Sequence, residues 1–309
     1  MGATYTNGAG WYSVGMNEIS TTALEEPALP APLRDRILER LGLSRLPSPD
    51  FEGLCELYGA WCGRVSFDNV RKVVALQTGR DLPGRTAEEF FEAWLDLGAA
   101  GTCWPGSNAL YALVRSAGFD VRRSAGSARD LGPINHATNR VVIDGRTWLV
   151  DSSMLTVDPL PLTDTLHIGS GHFAAEVEPE AGSHLVWVDF PPQGTLPFRL
   201  LPDPISLSFH LDGYERSREK SAFNRKLYAR RNYPGEKRIL VGNRRVSKTA
   251  AGMDVRELTR EELPEALMAD IGIDSRLVDE WISCGGLELA FEESPPPPPF
   301  DRKPPSQRG

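Results

Sequence analysis

The chain has 309 residues, of which 40% are hydrophobic and 25% charged, a composition typical of a globular protein with a sizeable core. Its formal net charge of −8 excludes general nucleic-acid binding, which needs a basic surface. No apolar run approaches the roughly 18 residues of a membrane helix. The start of the chain also lacks the basic and apolar regions of a secretory signal, so we predict a cytoplasmic protein that binds no membrane.

The N-terminal third of the chain is predicted to be mostly helical. Residues 1–30 are rich in Gly, Ser, Thr and Pro, and we expect this segment to be flexible. Helical spacing of apolar residues then appears in four segments: LRDRILERLGL, DFEGLCELYGAW, TAEEFFEAWLDLG and PGSNALYALVRSAG. These segments assign residues 31–118 to a helical bundle.

From Phe119 the pattern changes to short apolar runs between turn residues, which predicts an antiparallel β-barrel or sandwich over residues 119–213. Residues 214–292 combine the strand-like stretch EKRILVGNRRVSK with two helical segments and form a third, α/β unit. The Pro-rich residues 293–309 are expected to be a disordered tail, with a ligand for a polyproline-binding domain as the alternative. The predicted fold class is α+β.

The dipeptide Asp144-Gly145 lies between two β-like runs and predicts a two-residue hairpin loop. Ile143 would then face Arg146, and His136 and Asp151 would be diagonal neighbours on one face of the hairpin, within reach of each other. A three-residue loop would instead place the two side chains on opposite faces.

Cys103 stands immediately before the predicted helix PGSNALYALVRSAG. Backbone N–H groups at a helix start favour a thiolate and can stabilise an oxyanion, and a neighbouring imidazole would strengthen both effects. The four cysteines form no C-x-x-C pair, and we predict no metal site. Periodicity alone does not show that Cys103 meets the hairpin, so an inert core thiol is the competing interpretation.

Three segments resemble the arylamine N-acetyltransferase family in order and spacing. GRVSFDNV (63–70) is similar to its P-F-E-N-L segment, and GTCWPGSNALYALVRSAGFDVR (101–122) to its G-x-C-F-E-x-N-x-L…G-F-x-V segment. INHATNRVVIDGRTWLVDSS (134–153) is similar to its T-H-x-x-L…W-L-V-D-V-G segment. The resemblance implies an N-terminal helical bundle, a central β-barrel and a C-terminal α/β lid. It also implies that the core of this fold holds a catalytic triad like that of cysteine proteases.

The resemblance also implies an activity. A Cys103 thioester would carry an acetyl or other short acyl group from acetyl-coenzyme A to an arylamine, hydrazine or related amine, by a ping-pong mechanism without a permanently bound cofactor. His136 would shuttle protons and Asp151 would orient it. The same resemblance implies a set of substrate-contacting residues: Phe67, Asp68, Trp104, Met154 and Leu155.

The chain departs from the family pattern around the cysteine and after the aspartate. The usual Arg before the cysteine is absent, Pro105 replaces a Glu, and Ser153-Met154-Leu155 replaces Gly-Phe-Gly. Bulkier side chains there should change which acyl donor or amine fits. Three alternatives therefore stay open: an amide synthase that closes a macrolactam from a carrier-bound acyl chain, a catalytically idle binding homologue, and a cysteine hydrolase.

Overall fold

The structure is a computed structural model that describes residues 4–7, 10–13, 27–171, 173–293 and 302–308. The predicted flexibility of residues 1–30 falls mainly on residues outside this set. Within it, the strands β1 (Thr4–Asn7) and β2 (Gly10–Ser13) pair as an antiparallel hairpin. None of the described helices is long and apolar enough to span a membrane.

The next part of the chain is helical, as predicted. Its elements are α1 (Ala31–Leu41), α2 (Phe51–Arg64), the short strand β3 (Phe67–Asp68), α3 (Val70–Thr78), α4 (Ala87–Leu97) and α5 (Cys103–Ser116). Asp50 and Thr86 cap α2 and α4 through side-chain oxygens that accept from backbone N–H groups. Helix α3 was not predicted, because its valines favour strands, and packing in the folded protein overrides that preference.

Helix α5 begins at Cys103, two residues earlier than the predicted start at Pro105. A proline is tolerated in the first helical turn because the N–H that it lacks has no partner within the helix there. The cysteine is therefore the first residue of the helix and not the residue before it.

An eight-stranded antiparallel sheet curls into a nearly closed barrel. Its strands are β4 (Asp120–Ala128), β5 (His136–Ile143), β6 (Arg146–Val150), β7 (Leu160–Pro161), β8 (His167–Ile168), β9 (Ala175–Glu180), β10 (Ser183–Asp189) and β11 (Thr195–Leu200). The strand order is β7-β6-β5-β4-β11-β10-β9-β8. Alternate residues such as Val141, Val177 and Val186 are fully buried and fill the inside.

The predicted two-residue hairpin loop is confirmed. Ile143 pairs with Arg146, and Asp144 and Gly145 between them both have positive φ, 50° and 74°. Two residues with positive φ form the turn whose twist matches that of the flanking strands. The register between β5 and β6 is therefore the predicted one.

The C-terminal part combines a sheet with helices. Its elements are α6 (Leu207–Arg216), β12 (Tyr228–Tyr233), β13 (Glu236–Val241), β14 (Arg244–Thr249), β15 (Gly252–Glu257), α7 (Glu262–Ala266) with a π-helical turn (Leu267–Ile271), α8 (Ser275–Ser283) and α9 (Gly286–Phe291). The sheet order is β15-β14-β13-β12-β3. Strand β3 from the helical part thus forms one edge of this sheet, and the largest hydrophobic core takes residues from all three parts.

The Pro-rich tail was predicted to be disordered over residues 293–309. Residues 294–301 and 309 lie outside the described residues. Residues 302–308 instead contact the barrel, where Arg308 bonds to Glu178 and the Ser306 N–H to Glu176. Residues 302–308 thus differ from the predicted disorder in that acidic side chains on β9 hold their arginines, and disorder of the tail otherwise stays a prediction.

Candidate active site

Cys103, the first residue of α5, lies at the junction of the helical part and the barrel. It is buried, with 6% of its surface exposed. Thr102 precedes it at the N-cap position but makes no side-chain capping hydrogen bond. The Cys103 sulfur lies 3.9 Å from the carbonyl oxygen of Asn135, the residue just before β5. The fold thus brings the thiol to the start of the strand that carries His136.

His136 and Asp151 lie on the same face of the β5–β6 hairpin, as the predicted register requires. Nε2 of His136 is 2.7 Å from Oδ2 of Asp151. The imidazole also packs on the ring of Phe198, with centroids 4.9 Å apart. Because Nε2 is occupied by the carboxylate, Nδ1 is the ring nitrogen that remains for a second partner, and the Cys103 side chain is near enough to help raise the pKa of His136.

The electrostatics of this group favour a charged pair. Burial alone would lower the pKa of His136, but the Asp151 carboxylate and the Cys103 side chain outweigh it and raise this pKa to about 10. Burial would likewise raise the pKa of Asp151, but His136 and the backbone N–H groups of Met154 and Ser153 lower it to about 2. At neutral pH the pair is therefore an imidazolium and a carboxylate in a desolvated setting.

Asp151 is fixed by a dense hydrogen-bond network. Its Oδ1 accepts from the Ser153 N–H at 2.8 Å, from the Ser153 hydroxyl at 2.9 Å and from the Met154 N–H at 2.8 Å. The Tyr58 hydroxyl donates to the Asp151 carbonyl at 2.9 Å and accepts from its N–H at 3.2 Å. Tyr58 was not predicted as a site residue, because it lies on α2, 93 residues away in the chain.

The loop after Asp151 is anchored by the C-terminal sheet. On β12, Arg230 donates to the Met154 carbonyl at 3.0 Å and Asn232 to the Leu155 carbonyl at 2.9 Å. Leu155, which takes the place of a glycine in the family pattern, has φ of 51°. A leucine in this left-handed region is strained. The hydrogen bonds from Arg230 and Asn232 therefore hold the loop in a backbone conformation that a leucine disfavours. Sequence reasoning missed both anchors.

Phe67 and Trp104 are both buried, with 2% of each residue's surface exposed. The ring of Phe67 contacts the rings of Phe223 and Tyr228, at 5.0 and 5.7 Å between centroids. Trp104 follows the cysteine and packs edge-on against His210 at 5.2 Å. Burial lowers the pKa of His210 to about 3, so this histidine, which was not a predicted site residue, is neutral at pH 7. Met154 and Leu155 are also buried, with 1% and 0% exposed. That Phe67, Trp104, Met154 and Leu155 contact the substrate stays a prediction.

Asp68, a predicted substrate contact, is engaged by the protein itself. Its Oδ2 accepts from the Ser66 hydroxyl and from the Ala100 N–H, both at 2.9 Å. Its own N–H donates to the Gly101 carbonyl at 3.1 Å. This carboxylate therefore fixes the segment that leads into Cys103, and the geometry favours a positioning role over a substrate contact.

Among the described residues, no group of three or more His, Cys, Asp and Glu side chains could hold a metal ion.

The basic stretch 216–245 contains 11 Lys or Arg and 2 Asp or Glu. Several of its cations are engaged by the protein, because Lys237 bonds to Asp189, and Arg238 and Arg245 bond to Asp270.

The fold of the chain is similar to the folds of several solved arylamine N-acetyltransferases. Over 84% of this chain and 100% of the other, the fold matches the arylamine N-acetyltransferase of Mycobacterium marinum with a TM-score of 0.72 and 16% sequence identity. The enzyme from Salmonella typhimurium matches with a TM-score of 0.71 and 18% identity, over 82% and 98%. The M. marinum enzyme in complex with CoA matches with a TM-score of 0.69 and 17% identity, over 82% and 96%.

The helix-borne cysteine and the barrel-borne His–Asp pair thus lie on a three-part α+β fold. That fold is the one of the arylamine N-acetyltransferases, as the motif resemblance implied. At these identities the likeness shows the fold alone. No family model matches the sequence, and no curated protein sequence matches it.

Proposed function

We propose that the protein is an acyltransferase of the arylamine N-acetyltransferase type, with Cys103, His136 and Asp151 as its catalytic residues. The observation that supports this most is the buried His136, whose Nε2 lies 2.7 Å from Asp151 Oδ2, at the start of the strand that the Cys103 sulfur approaches to 3.9 Å at the Asn135 carbonyl. A nucleophile, a base and a residue that orients the base, in that order, are what acyl transfer through a cysteine requires.

In the first half-reaction the Cys103 thiolate attacks the acyl carbonyl of an acyl-coenzyme A. A sulfur–carbon bond forms, the bond to the coenzyme A sulfur breaks, and His136 gives its proton to the leaving thiolate. Acetyl-coenzyme A is the expected donor, and a solved neighbour of this fold is a complex with CoA. The protein itself needs no resident cofactor for this step.

In the second half-reaction an arylamine, hydrazine or related amine attacks the thioester. The amine nitrogen loses its proton to His136, the amide leaves, and the Cys103 thiolate returns. Asp151 stabilises the imidazolium in both halves and fixes its orientation. The first-turn N–H groups of α5, at Cys103 and Trp104, are candidates to stabilise the oxyanion, whereas Pro105 has none to offer.

The direct test is intact mass spectrometry of the protein mixed with acetyl-coenzyme A. We expect a mass increase of about 42 Da, the size of an acetyl group minus a hydrogen, located on Cys103 as a thioester. Cys103→Ser should abolish this adduct, whereas Cys55→Ser, at a half-buried free cysteine elsewhere, should leave it intact. Absence of an adduct with acetyl-, propionyl- and malonyl-coenzyme A would count against the proposal.

The alternatives give different results in the same assay. An idle homologue would form no adduct. Iodoacetamide would alkylate its Cys103 slowly, and His136→Ala would not change that alkylation rate. A hydrolase would lose the acyl group at the same rate with and without an amine. An amide synthase would take its acyl chain from a carrier protein and not from coenzyme A, and the buried bulk of Met154 and Leu155 makes a small acyl group the better fit.

A further inference from the structure

The outer face of the barrel carries a row of acidic side chains beside a tryptophan. Glu176, Glu178 and Glu180 alternate along β9 and so point to one side of the sheet. Trp187 on β10 pairs with Glu176, and its indole N–H donates to Glu178 at 3.0 Å. The residues between them, such as Val177, point to the inside of the barrel and are fully buried.

The described end of the chain lies along this face. Arg308 forms a bidentate ion pair with Glu178, at 2.5 and 2.8 Å. Arg302 pairs with Glu178 at 3.2 Å and also donates to Glu180. Between the two arginines, the Ser306 N–H donates to Glu176 at 3.0 Å. The segment 302–308 therefore makes at least one polar contact with each of the three glutamates.

The same segment covers an aromatic side chain. The guanidinium carbons of Arg302 and Arg308 lie 5.7 and 5.5 Å from the ring centroid of Trp187, within cation–π distance. Trp187 is 1% exposed although it belongs to neither hydrophobic core of the described residues. Pro304 is buried too, in the extended backbone conformation that proline-rich ligands present to aromatic grooves.

We propose that Glu176, Glu178, Glu180 and Trp187 form a recognition site for a basic, proline-containing peptide with arginines six residues apart. In the intact chain the site is occupied in cis by the segment RKPPSQR, residues 302–308. The carboxylates accept directional hydrogen bonds from the arginines, and the tryptophan ring contacts the faces of the two guanidinium groups. The site shares no residue with Cys103, His136 and Asp151, so its binding test does not depend on the proposed acyl transfer.

The test uses the full-length chain, with its own segment released by the double substitution Arg302→Gln and Arg308→Gln. Binding of a fluorescent RKPPSQR peptide is followed by anisotropy at low salt. The released variant should bind the peptide, and the unmodified chain should bind it at least roughly tenfold more weakly, because a tethered segment competes at high effective concentration. Added salt should weaken the binding, since the contacts are largely ionic.

Glu178→Gln, added to the released variant, should weaken peptide binding by roughly tenfold or more, because it removes the carboxylate that both arginines share. Glu257→Gln, at an exposed glutamate of another surface, is the matched control and should leave binding unchanged. A peptide with both arginines replaced by glutamine should not bind. The proposal is overturned if the released variant does not bind RKPPSQR, or if Glu178→Gln binds it as well as the control does.

A second measurement needs no substitution. Hydrogen exchange of the Ser306 N–H in the unmodified chain should be slow at low salt and faster at high salt, as the segment leaves Glu176. Fast exchange at low salt would show that the segment does not occupy the site and would contradict the proposal.

Discussion

His136 is the residue on which burial and charge act most strongly against each other. Taking an imidazolium out of water is unfavourable, yet the Asp151 carboxylate at 2.7 Å more than compensates, and the pKa rises to about 10. The charged ring is therefore part of the folded structure and not only a catalytic group. Its contribution to the free energy of unfolding must then depend on pH.

The direction of that dependence follows from the raised pKa. A histidine whose pKa is about 10 when folded and 6.5 when unfolded stabilises the fold fully below pH 6.5, and this contribution is lost as the pH rises to about 10. His136→Gln should therefore lower the free energy of unfolding more at about pH 6 than at about pH 10. Urea unfolding of both proteins at the two pH values measures the difference.

The other buried groups titrate in both proteins, so their contributions cancel in the difference between the two free energies of unfolding at each pH. His184, half-exposed on the barrel with a lowered pKa, provides the control substitution His184→Gln. Its effect should change in the opposite direction or not at all over this range. A His136→Gln deficit that stays constant or grows with pH would mean that the ring is not held in the charged form.

The elements around the site differ in how far the sequence predicts them. The β5–β6 hairpin was predictable to the register, because a two-residue turn and a period of two fix which residues face each other. The meeting of α5 with that hairpin was not, because periodicity describes one element at a time, and only the resemblance to a family supplied it. Arg230 and Asn232 gave no signal, since they reach Met154 and Leu155 across 76 and 77 residues.

The contact between α5 and the loop after β6 depends on a glycine. A Cβ atom built on Gly106 would lie 2.8 Å from the Ser152 hydroxyl oxygen, closer than real side chains approach. The Ser152 Cβ would also lie only 3.1 Å away, so rotation of the hydroxyl alone does not relieve the contact, and Gly106→Ala should push the loop that carries Asp151 away from the helix that carries Cys103. Overpacking of this kind costs about 1–3 kcal/mol, which exceeds the gain of about 0.5–1 kcal/mol from replacing a helical glycine by alanine.

We expect Gly106→Ala to lower both the thermal midpoint and the rate of acyl-adduct formation on Cys103. Gly63→Ala is the matched control, because Gly63 lies on α2 with no atom within 4 Å of its built Cβ. That substitution should raise the midpoint slightly and leave the adduct rate unchanged. If the two alanine variants behave alike, the close approach of α5 to Ser152 has no functional role.

At the scale of the whole molecule, the α+β class and the order of helices, barrel and terminal α/β part were predictable from changes in apolar spacing along the chain. The association of the parts was not predictable in the same way. Strand β3 leaves the helical part to join the C-terminal sheet, and its two residues are too few to give a sequence pattern. The docking of residues 302–308 was also missed, because composition describes a proline-rich segment but not the acidic surface that it meets.

The barrel and the C-terminal sheet are joined by a small ionic cluster. Asp189 at the end of β10 accepts from Lys237 on β13 at 3.0 Å and from Lys248 on β14 at 2.7 Å. The side chain of Lys237 is only 1% exposed. Burial lowers the pKa of Lys237 to about 8, with the nearby charge of Arg230 adding to the effect and Asp189 opposing it. Asp189 is therefore what makes a buried ammonium tolerable at this junction.

Asp189→Asn should lower the free energy of unfolding by roughly 3 kcal/mol at neutral pH, because it leaves the Lys237 ammonium buried without its counter-charge. Glu257→Gln, which breaks an exposed pair with Arg244, should cost less than about 1 kcal/mol. The Asp189→Asn deficit should shrink at about pH 9.5, since a lysine with a lowered pKa loses its proton in the folded state first, and stability then rises with pH. Urea unfolding at both pH values tests this, and a deficit that does not shrink would show that the loss comes from packing and not from the charge on Lys237.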